Sequence, residues 1–223
     1  MRRAGACILF VLLLVIAMVI GALYLFYSQP ELVDYDSTVV LYEEDYPTTE
    51  NISIYYDVCF HNVTFNVVDD PGFIIKINWK LTVLVEGAVG LNTNLQVTTS
   101  SNDEYMTIQI LKENPSAICG LRAGDAEATV NVTINSAYTI DLEASAGDGN
   151  INLVASNASF DTIYFHHGIN CIGNNTIDIA NSIVYEDVIS EVSTGRYWVR
   201  LDTVIVRGSV SCTPEGSGTL III

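Results

Sequence analysis

Hydrophobic positions along the chain follow two regimes. From Ala4 to Tyr27 the sequence is apolar and carries no charge. Downstream, period two takes over. In residues 75–83, Ile75, Ile77, Trp79, Leu81 and Val83 share one face of an extended chain, and Lys76, Asn78, Lys80 and Thr82 share the other, the pattern of a half-buried strand. Met106, Ile108 and Ile110 alternate with Thr107 and Gln109, Val130, Val132 and Ile134 with Asn131 and Thr133, and Ile140, Leu142 and Ala144 with Asp141 and Glu143. Further strands are predicted at 151–153, 162–165, 176–179, 197–201, 203–207 and 219–223. One stretch reads differently: Tyr185, Val188, Ile189 and Val192 are at helical spacing, with Asn181 or Ser182 as N-cap and Gly195 as a stop, and predict a short helix.

Strands recurring every ten to twenty residues without alternating helices exclude the α/β classes. The expected fold is all-β, a β-solenoid-like or β-sandwich ectodomain behind a single N-terminal transmembrane helix. The 24 residues 4–27 would reach about 36 Å as a helix, enough to cross the ~30 Å hydrocarbon core. A cleaved signal peptide has an apolar region of only ~7–15 residues before a small-x-small site. Here the exit, Leu23-Tyr24-Leu25-Phe26-Tyr27-Ser28-Gln29-Pro30, lacks such a site. Arg2 and Arg3 precede the helix and the next basic residue is Lys76, so the N-terminus is expected in the cytoplasm and the remainder outside a cell membrane. The domain reading is 1–3 cytoplasmic end, 4–27 signal-anchor helix, 28–50 acidic stalk with one strand at 38–42, and 51–223 all-β extracytoplasmic domain.

Charge narrows the partners. All 26 acidic residues lie beyond the apolar run, against seven basic ones once Arg2 and Arg3 are set aside, a formal charge of −19. Nucleic acid and anionic lipid headgroups are poor partners for such a surface. Partners are expected to be the bilayer through the N-terminal helix and a cell-envelope protein or glycan, or a second copy of the chain. Cys7 falls in the apolar run, leaving Cys59, Cys119, Cys171 and Cys212 outside as disulfide candidates with three pairings open. Their wide spacing fits no zinc site. Asn51, Asn62, Asn131, Asn157 and Asn174 head Asn-x-Ser/Thr sequons and are N-glycosylation candidates.

Residues 103–154 run through a strand ending in a polar turn, then Ala128-Thr129-Val130-Asn131-Val132-Thr133-Ile134, then Tyr138-Thr139-Ile140-Asp141-Leu142-Glu143-Ala144-Ser145-Ala146-Gly147-Asp148-Gly149-Asn150-Ile151-Asn152-Leu153. This resembles the prokaryotic putative-adhesin family of unknown function, in which strands of this kind precede Gly-Asp-Gly turns repeated along a β-solenoid-like stack. Glycine tolerates positive φ in such a turn, and Asp or Asn can bond its own backbone. One good copy of the turn is present. Gly168-Ile169-Asn170, Gly173-Asn174-Asn175 and Ser193-Thr194-Gly195 occupy degenerate turn positions downstream, at the 20–25-residue spacing of a solenoid rung. The resemblance implies a solenoid fold and a surface location.

Candidate chemistry is sparse. His166-His167-Gly168-Ile169-Asn170-Cys171 is the one cluster that suggests metal or catalysis, but adjacent side chains on a strand face opposite ways. Residues 147–153 resemble a calcium-binding nonapeptide, which needs tandem copies. No Gly-x-Ser-x-Gly elbow, Walker loop or His-Glu-x-x-His helix occurs, and no cofactor is implied. The expected function is a membrane-anchored cell-surface structural or adhesive β-domain, not an enzyme. The alternatives are an archaeal pilin-like filament subunit, suggested by Met1-Arg2-Arg3-Ala4-Gly5 before the long apolar run, and an extracytoplasmic enzyme with an unrecognised site.

Overall fold

The computed structural model describes residues 15–19, 31–58, 62–70, 72–85, 95–102, 104–112, 126–147, 149–167, 172–192, 194–214 and 217–223. Among these, seventeen strands form two large sheets. A repeating unit accounts for most of them. β2 (Asn51–Val58) lies in the nine-stranded sheet and β3 (Asn62–Val68) in the eight-stranded one. The pair β8 (Thr139–Ala146) and β9 (Gly149–Ser156) follows the same path, each strand parallel to its predecessor in the same sheet. The coil of β10 (Ser159–His167) and β11 (Ile172–Ala180) stacks on that, followed by β12 (Ile183–Val184), β13 (Val188–Val192) and β14 (Thr194–Asp202). β15 (Ile205–Val206), β16 (Val210–Pro214) and β17 (Ser217–Ile222) make the last coil. This is a two-faced parallel stack of coils, and the expected 20–25-residue repeat is its rung.

The other end is built out of chain order. β4 (Phe73–Val85) leaves β3 but does not pair with it; β7 (Ala126–Asn135) inserts between them, parallel to β3 and antiparallel to β4. In the facing sheet, β6 (Tyr105–Lys112) pairs with β2, and β5 (Leu95–Ser101) closes that edge antiparallel. β1 (Glu31–Tyr42) covers the free edge of β4 along its whole length.

Three expectations change. The segment assigned to an acidic stalk runs from Glu31 as a 12-residue edge strand that contains the expected 38–42 and ends in a 3-10 turn at Glu43–Asp45. The backbone of β4 offers twelve pairing positions between Phe73 and Val85, with Ile74 skipped at a bulge, that would otherwise meet only water. The helix read at 181–195 is instead β12, β13 and the start of β14. Its inward positions are Val188, Ser190 and Val192; the buried Ser190 hides the period-two pattern, while parallel pairing to β10 decides the backbone. The strand expected at 203–207 shortens to Ile205–Val206 because Thr203 turns the chain at φ 56°. Of the expected 4–27 membrane span, only 15–19 are described, and they are helical and exposed. No helix among the described residues is long and apolar enough to cross a membrane.

The core lies between the sheets, and its rows cross coil after coil. In the eight-stranded sheet Ile77, Val132, Phe65, Leu153, Ile177 and Val199 stand in register on adjacent strands, every one fully buried. Facing them from the other sheet are Tyr56 and Phe165, whose rings lie 5.8 and 6.1 Å from that of Phe65. Ring contacts across the gap fix the separation of the sheets.

On the outer side an asparagine ladder ties coil to coil. Asn62 Oδ1 accepts from the Asn150 backbone N–H (3.1 Å) and Nδ2 (2.9 Å). Asn150 Oδ1 accepts in turn from Asn174 N–H (3.2 Å) and Nδ2 (2.8 Å), and Asn174 Oδ1 from the Arg196 N–H (3.0 Å). Beside the ladder Gly149, Gly173 and Gly195 are in register. Gly149 has φ 141°, and a Cβ on Gly173 would meet Gly149 O at 2.1 Å and the His167 ring at 2.2 Å. Substituting Asn150→Ala deletes the central link and leaves the half-buried Asn62 carbonyl and the exposed Asn174 amide short of a partner. The expected loss is about 0.5–1.5 kcal/mol, read as a lower urea midpoint at unchanged slope.

Candidate functional site

A cavity of about 490 Å3 opens where the chain passes from β1 to β2 beside the turn from β7 to β8. It is an open, mainly polar depression, with Pro47, Glu50 and Ala137 of its lining exposed. Glu43, Tyr46, Glu50, Asn51, Tyr138 and Thr139 line it. The 3-10 turn supplies Glu43, and Tyr46 N–H closes that turn on Glu43 O at 3.0 Å. Glu50 and Asn51 are held by their N–H groups on Glu104 O, both at 3.0 Å. Thr139 N–H donates to Glu50 O at 3.1 Å, tying the floor to the next coil.

Glu43 is the best-positioned group. The buried Asn135 donates its Nδ2 to Glu43 Oε1 at 2.7 Å and to Phe73 O at 3.1 Å, and the Tyr138 hydroxyl bonds the same carboxylate. Tyr138 is pushed up to about 12, first by burial and then by the charge and hydrogen bond of Glu43. The phenol therefore stays a donor and the carboxylate is held by neutral partners. A site so built suits hydroxyl-bearing or cationic groups and repels anions.

A second acidic feature is on the outward face of the nine-stranded sheet. Asp141 on β8 accepts from Ser53 Oγ at 3.2 Å. Its carboxyl is raised, first by burial, against the lowering effect of that bond, with Asp161 and Glu186 of the following coils adding repulsion. Tyr164 donates to Glu191 Oε2 at 2.9 Å and stacks on His166 with ring centres 5.1 Å apart.

The predicted site residues scatter. His166 faces outward, while His167 points into the core, with Nδ1 3.0 Å from Gly147 O and Nε2 2.8 Å from Asn175 Oδ1. Asn175 Nδ2 donates on to Ser190 Oγ (3.1 Å) and Glu191 O (3.3 Å), so His167 belongs to a buried polar chain joining three coils. Cys59, Cys119 and Cys171 lie outside the described residues; Cys212 on β16 is a half-buried free thiol that burial pushes up. Among the sequons, Asn131 is exposed on β7 and Asn157 is exposed at a turn with φ 54°. Asn62 and Asn174 are ladder members, and Asn51 lines the cavity. Among the described residues no three His, Cys, Asp or Glu side chains gather as a metal ion would need. The sequence reading missed the cavity: its residues come from segments about ninety positions apart, with only Glu43-Glu44-Asp45 and Tyr46-Pro47 as a local signal.

No protein-family model matches the chain, and no curated protein matches it. Solved structures do. A putative cell adhesion protein from Clostridium sporogenes superposes with a TM-score of 0.59 at 8% identity, over 86% of this chain and 100% of that one. A putative adhesin from Parabacteroides merdae aligns over 86% of this chain and 96% of its own, at 10% identity and a TM-score of 0.26. The chain thus has the fold of the Clostridium protein, in agreement with the resemblance carried by the Gly147–Asn150 turn.

Two titrations follow. Tyr138 binds its proton more tightly folded than unfolded, so its contribution to stability is complete below pH 10 and is lost as pH rises toward about 12. The Tyr138→Phe variant is expected to show a flatter alkaline limb in stability against pH. For Asp141, whose carboxyl is raised in the fold, the ionised form is a net cost at neutral pH. Asp141→Asn should raise Tm at pH 7 by a few degrees, with the gain shrinking as pH falls into the carboxyl range; a gain independent of pH would contradict this origin.

Proposed function

We propose that this chain is a membrane-anchored cell-surface module of adhesive or structural type, held by residues 4–27 with its β-stack outside, and that it binds rather than catalyses. The observation that carries the reading is the fold shared with the Clostridium sporogenes protein across the whole of that chain. The uncharged run before Tyr27, with Arg2 and Arg3 on its near side, supports the anchor and its direction. The sequons at Asn131 and Asn157, both exposed, agree with an extracytoplasmic address. A formal charge of −17 argues against nucleic acid as the partner. The cavity at Glu43 and Glu50 supports binding of a hydroxyl-rich or cationic group of an envelope component, since its carboxylate is fixed by neutral donors.

Protease treatment of intact host cells tests the topology. The 51–223 portion should be digested from outside while a membrane-retained stub carrying residues 1–30 survives. Protection of the domain in intact cells, with digestion only after lysis, would overturn the reading. Mass spectrometry of the mature N-terminus separates the two anchored forms: retention of Arg2 and Arg3 fits a signal-anchor, and a chain beginning at Gly5 or Ala6 fits the pilin-like alternative.

A further inference from the structure

The nine-stranded sheet turns Asp57, Asp141, Glu143, Asp161 and Glu191 outward from four neighbouring strands, β2, β8, β10 and β13, whose sequences contain no Lys or Arg. Their crowding is felt at Asp141, where burial, Asp161 and Glu186 all work against the ionised form. A cation brought to this face relieves that repulsion.

Two tyrosines stand among these carboxylates. Tyr55, Glu143 and Tyr164 are in register on β2, β8 and β10. Glu143 acts on both phenols: Tyr55 is raised first by burial, then by Asp57 and Glu143, and Tyr164 first by burial, then by Glu191 and Glu143. Tyr164 is fixed by its 2.9 Å bond to Glu191 and by stacking on His166. A ring held still beside a carboxylate is a seat for a cation that costs little ordering on binding. The chain fills one such seat on the same sheet itself. At the end of β12 the Arg207 guanidinium lies 5.0 Å from the centre of the Tyr185 ring, whose chain neighbour is Glu186.

Spacing selects the occupant. Tyr55 and Tyr164 are two strand spacings apart, ~9.6 Å along the stack. A partner in β conformation would bring side chains to one face every ~6.7 Å. Polyproline II, with three residues per turn and a ~3.1 Å rise, brings every third side chain to one face at ~9.3 Å. Segments of this kind dock on aromatic surfaces at low entropic cost.

We propose that the outer face of the nine-stranded sheet docks a basic polyproline II segment of a partner protein, laid along the stack. A Lys or Arg at every third position sits over Tyr55 and over Tyr164, with Glu143 between the two cations. The proposal is independent of what the Glu43 cavity binds.

Fluorescence polarisation of labelled synthetic peptides against the full chain in nonionic detergent tests it. The probe carries four arginines separated by Pro-Pro, and the control four arginines separated by single prolines. The probe should bind saturably, about tenfold tighter than the control, and weaken as salt is added. Tyr55→Leu, Tyr164→Leu and Glu143→Gln should each weaken it by about threefold or more, Tyr55→Phe should retain it, and Lys80→Ala on the other sheet should leave it unchanged. If a Leu variant loosens the β8 amides in hydrogen exchange, Glu143→Gln decides. Absence of binding, equal affinity for the two spacings, or full affinity in Glu143→Gln would overturn the proposal. So would displacement of the probe by neutral cellohexaose, which would assign the row to a glycan. Tighter binding after Arg122→Ala, a position outside the described residues, would assign the face to a segment of this chain and overturn it equally.

Discussion

In-register parallel pairing from one coil to the next is the constraint on which the rest of this molecule depends. Once Asn150 is opposite Asn174 and Leu153 opposite Ile177, each position inherits the environment of the one before it. Inward positions must be apolar and of similar size, which the row through Phe65, Leu153, Ile177 and Val199 satisfies. The approach of coils leaves no room for a Cβ at Gly173. Amide side chains bond best to their own kind one coil away, which gives Asn62, Asn150 and Asn174 their ladder. Where a polar group does enter the core, the same rule carries it across coils, from His167 through Asn175 to Ser190.

The candidate site arises where this repetition is interrupted. Between β3 and β8 the chain departs to make β4 through β7 and returns, and the return turn meets the 3-10 turn that follows β1. Two irregular connections cannot pack as closely as two strands, and the space left is the Glu43 cavity. Asn135 at the end of β7 spends its amide on holding Glu43, so the interruption is a fixed arrangement of donors and acceptors. Binding groups placed on connections and positioned by a rigid stack are a common division of labour.

Much of the fold was legible because alternation survives wherever one face meets the core. The strands at 75–83, 106–110, 130–134 and 140–144 are where the pattern put them, and the Gly-Asp-Gly turn led to the right kind of stack. β2 and β3 alternate as well, but Tyr55 and Tyr56 stand side by side, as do Val67 and Val68, and local composition does not say which member faces inward. The false helix at 181–195 had the same root: Ser190 is buried for the sake of Asn175, a partner fifteen residues away. Of the edge strand at Glu31–Tyr42 only 38–42 was legible locally, since the rest is extended because of the open edge of β4. The cavity depends on which strands become neighbours, and strand order is not written in any one segment.

The insertion of β6 and β7 beside the first coil carries a kinetic consequence. β2 and β3 are made early, but their partners on both sides come later: β8 and β9 lie 88 residues downstream, and β6 and β7 must also slot in before the stack closes. Loop closure over such distances is slow. During synthesis the first coil therefore waits, half-paired, until most of the domain has emerged, and the chain folds around its middle rather than from its beginning. A protein on this plan gains little from an early start, and its exposure to misassembly is set by how quickly residues 126–156 arrive.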